Sequence, residues 1–153
     1  MLVRLPARVR SQAGAELVEF ALVLPILLLV FGGIVDFGLL LHRQQVITNA
    51  AREGARVAVL PGYCTADVED RVRRFVALSL PSATGALTTR VSNATLPAGS
   101  ASVEVKSVQV TLDERFLILG PLVSLAGGSG SFGEIPLTAT TTMRVEAVTA
   151  GCP

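Results

Sequence analysis

A single apolar run limits most strongly what this chain can fold into. Residues 20–41 read FALVLPILLLVFGGIVDFGLLL, and Asp36 is the one charged residue in it. As a helix rising 1.5 Å per residue the run spans about 33 Å, enough to cross a bilayer core of ~30 Å. A helix in the core of a soluble protein is the competing reading, but such a helix usually shows a polar stripe to water. The run therefore predicts a membrane span. Charged residues make up 16% of the whole sequence, against roughly 25% in an average soluble domain.

Charge on the two flanks predicts the orientation. Arg4, Arg8 and Arg10 precede the run with no acid before Glu16, while beyond it Arg43 is the only fixed charge until Arg52. An excess of arginine marks the cytoplasmic side. The N-terminus is thus expected in the cytoplasm of a bacterial cell. Residues 43–153 are expected outside the inner membrane, in the periplasm. Beyond residue 60 there are seven basic and eight acidic residues, which leaves no basic footprint for nucleic acid.

Three parts are expected along the chain. Residues 1–14, MLVRLPARVRSQAG, read as a cytoplasmic leader. Residues 15–60 read as one long helix that spans the membrane and continues beyond it, with Pro25 inside as a source of a kink or a lost hydrogen bond. Small residues recur on its outer half at Ala50, Ala51, Gly54, Ala55 and Ala58. Such a face lets another backbone approach closely, whether the chain's own sheet or a partner helix. Residues 61–153 read as a small α+β domain. Pro61-Gly62 closes the long helix, and Thr65 is placed to cap a second one. Asp67, Glu69 and Asp70 lie in the early turns of that helix and Arg71, Arg73 and Arg74 later, an order that suits the helix dipole. Val68, Val72, Phe75 and Val76 form its apolar face, and Pro81 stops it.

The remainder alternates like antiparallel strands. Leu87, Thr89 and Val91 share a phase, and Pro97-Ala98-Gly99-Ser100 signals a turn. In the next strand Val103 and Val105 hold one phase and Val108, Val110 and Leu112 the other. This switch predicts a β-bulge at Lys106-Ser107, since one apolar set would otherwise face water. In the last strand Leu137, Ala139, Thr141, Met143, Val145 and Ala147 face one way, and Thr138, Thr140, Thr142, Arg144 and Glu146 the other. Between these strands, residues 116–126 are apolar but too short to span and are broken by Gly120-Pro121. They are expected as a buried or interfacial short helix, followed by a glycine-rich loop at residues 127–133.

Few residues could support chemistry. His42 is the only histidine, so no histidine triad or two-histidine metal site can form. The glycine loop lacks a P-loop lysine, and the acids at 67, 69, 70, 113 and 114 do not match an EF-hand. Asn93-Ala94-Thr95 fits a glycosylation sequon, which is idle in a bacterium. No catalysis, metal or cofactor is expected. Asp36 reads either as a water-facing interfacial acid or as a partner in an interhelix hydrogen bond. Cys64 and Cys152 are an even pair in a segment expected outside, which points to one disulfide, with two buried thiols as the alternative. A bridge would close a loop of about 88 residues and stabilise by roughly 4–5 kcal/mol in the chain-entropy picture.

The N-terminal end of the apolar run carries a more specific pattern. A basic leader ends in Gly14, and Gly14-Ala15-Glu16-Leu17-Val18-Glu19-Phe20 places a glutamate five residues past the glycine. Prepilin peptidases process this pattern; glycine lets the peptidase reach the backbone, and the apolar segment is kept as the mature N-terminus. Glu19 would then lie in or at the membrane, where a charge is costly unless paired, and the new amine of a neighbouring Ala15 could pair with it. A simple uncleaved signal anchor is the other reading.

LVEFALVLPILLLVFGGIVDFG followed by ITNAAREGARVAV resembles the TadE-like family of pseudopilins from the tight-adherence (Flp-type) pilus system. Asn49-Ala50-Ala51-Arg52-Glu53-Gly54-Ala55-Arg56 sharpens the likeness, and LTATTTMRVE is similar to that family's final strand. The likeness runs through most of the chain and is weakest over residues 82–135. It implies a pseudopilin-like α+β fold and cleavage after Gly14, with Glu19 and Phe20 as the glutamate and aromatic of the cleavage motif. It also implies a structural role in pilus assembly. The partners would be a prepilin peptidase, other pilin or pseudopilin subunits, the assembly machinery and the inner membrane. Larger members of that family carry an extra domain, which this chain is expected to lack. The alternative function is an unprocessed, membrane-anchored extracytoplasmic binding or sensing module.

Overall fold

A computed structural model describes residues 12–81, 83, 85–99, 101–125 and 134–145. The elements in order are α1 (Gln12–Ala58), α2 (Thr65–Ser79), β1 (Leu87–Ala98), β2 (Ala101–Arg115), α3 (Leu119–Leu125) and β3 (Glu134–Arg144). The arrangement is α+β: one long N-terminal apolar helix, two shorter helices and a three-stranded antiparallel sheet in the order β1-β2-β3. Most of the expected leader (residues 1–11), the glycine loop, Glu146, Ala147 and Cys152 lie outside the described residues.

α1 runs through Pro25 without interruption, and its described residues reach back to Gln12, three before the expected Ala15. Its two halves behave differently. Residues such as Leu17, Leu22, Ile26, Phe31, Ile34, Phe37 and Leu41 are more than half exposed. From Val46 onward one side is buried: Val46, Ile47, Ala50, Ala51, Ala55, Val57 and Ala58 belong to the core. Two layers cover that side, α2 and the inner face of the sheet. α2 contributes Val68, Val72 and Val76, and β2 contributes Val108, Val110 and Leu112. Helices and sheet thus form two layers, with the other sheet face open to solvent.

The strand phases follow from the register. Leu87, Thr89 and Val91 pair with Leu112, Val110 and Val108, and these pair in turn with Leu137, Ala139 and Thr141. All lie on the helix-facing side, as the alternation requires. The chain reverses between β1 and β2 at Gly99 (φ +66°), where Ala98 already pairs with Ala101. Pro97 and Ala98 are therefore strand residues. Such a conformation favours glycine because it lacks a Cβ.

Two expectations are corrected. No bulge interrupts β2: Ser92 pairs with Ser107, Asn93 with Lys106, and both ladders keep step throughout. Val103 and Val105 accordingly lie on the outer face. Val105 is still only 7% exposed there, because the central strand gives it neighbours on both sides, Ala94 and Arg144. The second correction is the α2 cap. Cys64 holds the N-cap position and Thr65 is the first helical residue. The Cys64 backbone N–H donates to Asp67 Oδ2 at 2.8 Å, so the acid three residues on closes the helix start.

Close packing is tightest at Gly54. A Cβ there would stand 2.7 Å from Val72 Cγ2 and 3.2 Å from Val108 Cγ1. Valines are stiff and cannot swing away. Gly54→Val should therefore destabilise the folded domain by about 2–3 kcal/mol through overpacking. Gly33, where a Cβ meets nothing within 4 Å, is the control: Gly33→Ala should leave stability unchanged or slightly raised. Chemical denaturation of both variants in detergent micelles checks the contrast, and equal stabilities would rule out the close approach.

Candidate functional site

Among the described residues no cluster of histidine, cysteine, aspartate and glutamate is arranged to hold a metal. The features that could act are spread along α1, from its N-terminal end to its junction with the domain.

At the N-terminal end, Gly14, Ala15, Glu16, Glu19 and Phe20 are all exposed. The Gly14–Ala15 bond lies within α1. Glu19 has no ion pair or hydrogen bond among the described residues and sits just before the apolar run. The window of α1 that follows has a mean hydropathy of 2.6 and is only 6% buried within the chain. It is long and apolar enough to cross a membrane.

Asp36 is treated in the opposite way. It is 2% exposed and spends both oxygens on the chain's own backbone. Oδ1 accepts from the N–H groups of Leu117 (3.0 Å) and Ile118 (3.1 Å), and Oδ2 from those of Ile118 (3.1 Å) and Leu119 (2.8 Å). These are the donors at the start of α3, which no helical carbonyl can satisfy. A carboxylate there also complements the helix dipole. One turn earlier on α1, a Cβ at Gly32 would fall 2.8 Å from Ile118 Cγ2. The water-facing reading of Asp36 is thereby excluded; the hydrogen bonds join α1 to α3.

Nearer the domain, Arg43 donates to Glu114 Oε2 in a part-buried ion pair. Glu114 is 3% exposed, and its Oε1 has no partner among the described residues. Gln44 Nε2 donates to the carbonyl of Thr138 at 3.1 Å. The sequence did not point to the Arg43 pair. One signal was available: Glu114 continues the buried phase of Val108, Val110 and Leu112, where a lone carboxylate needs a partner.

The small-residue face is fully occupied within the chain. Ala50, Ala51, Ala55 and Ala58 are at most 1% exposed, and Gly54 is buried against Val72 and Val108. At its edge Glu53 fastens α1 to α2. Its Oε1 accepts from Arg71 Nη2 (2.6 Å) and Arg56 Nη2 (2.9 Å), and its Oε2 from Arg56 Nε (3.0 Å). Cys64 is not a free thiol, and Cys152 lies outside the described residues.

The long helix is similar to a known family. The family model described as TadE-like protein matches residues 14–56. Over these residues the chain is similar to the TadE-like family. No match was found among curated proteins or among solved structures. The TadE-like segment coincides almost entirely with α1 and contains Gly14, Glu19, Asp36, Arg43 and Gly54. The groups that satisfy Asp36 and Arg43 come from residues 114–119, outside it.

The Glu53 cluster gives a pH-dependent test. Hydrogen bonds from Arg56 first and Arg71 second hold the Glu53 carboxyl well below its ordinary 4.5, at about 2. A carboxyl lowered on folding stabilises above its unfolded pKa and loses that contribution as pH falls through the folded value. The window is therefore pH 4.5 down to about 2. Glu53→Gln should cost about 1 kcal/mol at pH 7, the upper range for a partly exposed pair. The gap from the parent should close as denaturation is repeated toward pH 2. A gap that stays constant with pH would show that the charge is not what matters.

Proposed function

We propose that this protein is a non-catalytic minor pseudopilin of a tight-adherence (Flp-type) pilus system, processed by a prepilin peptidase after Gly14. The observation that carries this reading is the TadE-like match over residues 14–56. It begins at the glycine of the cleavage pattern and extends through an apolar helix whose first half is exposed. In this reading residues 1–14 are a cytoplasmic leader, α1 from Ala15 spans the inner membrane, and residues 61–153 form a periplasmic domain. Three leader arginines with no acid among them, against Arg43 as the only fixed charge until Arg52 on the far side, support that orientation.

Glu19 is the residue by which such a subunit would engage its neighbours. An ionised group inside the hydrocarbon costs about 2.5–3.5 kcal/mol on insertion scales, and nothing among the described residues offsets it. The amine freed at Ala15 of an adjoining subunit supplies the missing charge. Partners would be other pilin-like helices, the prepilin peptidase and the assembly machinery. The domain is held close to the end of the helix, and a Cys64–Cys152 bridge would tether its C-terminal end to the start of α2. The absence of a free thiol at Cys64 supports that pairing.

Processing separates this proposal from an unprocessed anchored module. In cells that make the pilus, Gly14→Val should keep its leader, seen as an unshortened mass, because the side chain blocks close approach to the backbone. Glu19→Ala should be inserted as well as the parent or better, yet support few or no pili. Loss of the leader from Gly14→Val, or normal pili from both variants, would overturn the proposal. Non-reducing peptide mapping addresses the bridge separately: a linked Cys64–Cys152 peptide is expected, and two alkylatable thiols in native protein would exclude it.

A further inference from the structure

The segment that Asp36 holds runs in an unexpected direction. As the chain leaves β2, Glu114 meets Arg43, Leu117 to Leu119 meet Asp36, and Ile118 faces Gly32. The chain is thus moving down α1 toward the helix N-terminus, away from the domain. Asp36 lies about 10 Å and Gly32 about 16 Å below Arg43 along the axis at 1.5 Å per residue. Half of a ~30 Å bilayer core is about 15 Å. If α1 spans the membrane, α3 therefore starts at the depth of one leaflet.

The segment's own chemistry suits that depth. Residues 116–133 contain no charged side chain. Leu117 is 65% exposed and Leu122 39%, next to a helix whose Phe31, Ile34 and Phe37 are each more than 60% exposed. In water these would be one continuous apolar surface, of the kind soluble domains rarely leave open. Irregular backbone at membrane depth is tolerated only where its polar groups find partners within the protein. Here Asp36 takes the N–H groups of residues 117, 118 and 119, Pro121 has none to offer, and the Leu122 N–H already bonds the carbonyl of Ile118 at 3.3 Å. A seven-residue helix has little stability in isolation, so its position depends on these tethers.

We propose that residues 116–125 lie in the extracytoplasmic leaflet of the bilayer beside α1, so that the protein contacts lipid through a second segment that does not span. The partner is the acyl-chain region of that leaflet. The inference rests on the reading of α1 as a membrane span and adds to it a lipid-facing element supplied by the domain.

The chain has no tryptophan, so single tryptophans introduced into the full-length protein report their surroundings without background. Four variants are reconstituted into phospholipid vesicles whose acyl chains are brominated part-way along: Leu117→Trp, Leu122→Trp, Phe31→Trp in α1, and Leu96→Trp near the β1–β2 turn. Leu96 pairs with Val103, which is about 35 Å along β2 from Glu114 at strand spacing. The expected result is blue-shifted emission that brominated lipid largely quenches for residues 31, 117 and 122, and red, unquenched emission for residue 96. Quenching at residue 31 with none at 117 or 122 would sink the inference and leave the span intact. No quenching at residue 31 would sink the span itself, and the inference with it. Two independent probe positions keep the result interpretable if one substitution disturbs α3.

Discussion

The domain depends on how closely α1 lets other elements approach it. Over residues 46–58 half of its circumference is buried, and the residues at closest approach are alanine and glycine. At Gly54 the valines of α2 and β2 stand where a side chain would be. Larger residues would push both layers outward and open voids on either side, which a close-packed interior does not tolerate. The large residues are placed on the opposing surfaces instead: Val68, Val72 and Val76 on α2, Val108, Val110 and Leu112 on β2. A face of this kind can serve either a partner helix or the chain's own fold, but not both. In this protein the domain occupies it, so any partner helix has to use the other half of α1.

A second set of contacts fixes where the domain sits along the helix. Asp36, Arg43 and Gln44 each bind a group beyond residue 113. They lie at and just below the end of the apolar run, where water is scarce and polar groups are strongly driven to pair. Apolar packing alone allows a sheet to slide along a smooth alanine face. Directional bonds at three successive levels do not. Helix and domain are coupled by both kinds of contact, with Glu53 adding a fourth polar tie at the far end.

Much of this was legible in the sequence because periodicity carries it. The small-residue face, the valine stripe of α2 and the two phases of β3 each follow from a repeat of 3.6 or 2, and the apolar run from its unbroken length. The failures arose where a local pattern was asked to report a tertiary fact. The phase switch in β2 suggested a bulge on the assumption that each apolar residue must face the core. On the outer face of the central strand Val105 is nevertheless buried, between Ala94 and Arg144 on the neighbouring strands, without a kink. The α2 boundary moved by one because Asp67 closes the turn onto the Cys64 backbone, leaving Thr65 free to begin the helix. The ion pair of Arg43 with Glu114 joins residues 71 positions apart, and no periodicity within either segment encodes which charge it will meet.

The two carboxylates of the apolar helix show how structure separates residues that composition treats alike. Glu19 and Asp36 are both acids in or beside a stretch that would rather hold none, and in the proposed membrane span both incur the cost of leaving water. Asp36 recovers that cost inside its own chain through four N–H···O contacts at the start of α3. It has nothing left to offer another molecule, and its replacement would disturb the chain's own architecture first. Glu19 is exposed and has no such partner among the described residues. An unsatisfied charge at the edge of a membrane is a standing free-energy deficit, and any neighbour that supplies a cation lowers it. By this reasoning Asp36 serves the fold of its own chain, and Glu19 is the acid that the proposed assembly leaves for a neighbour to pair.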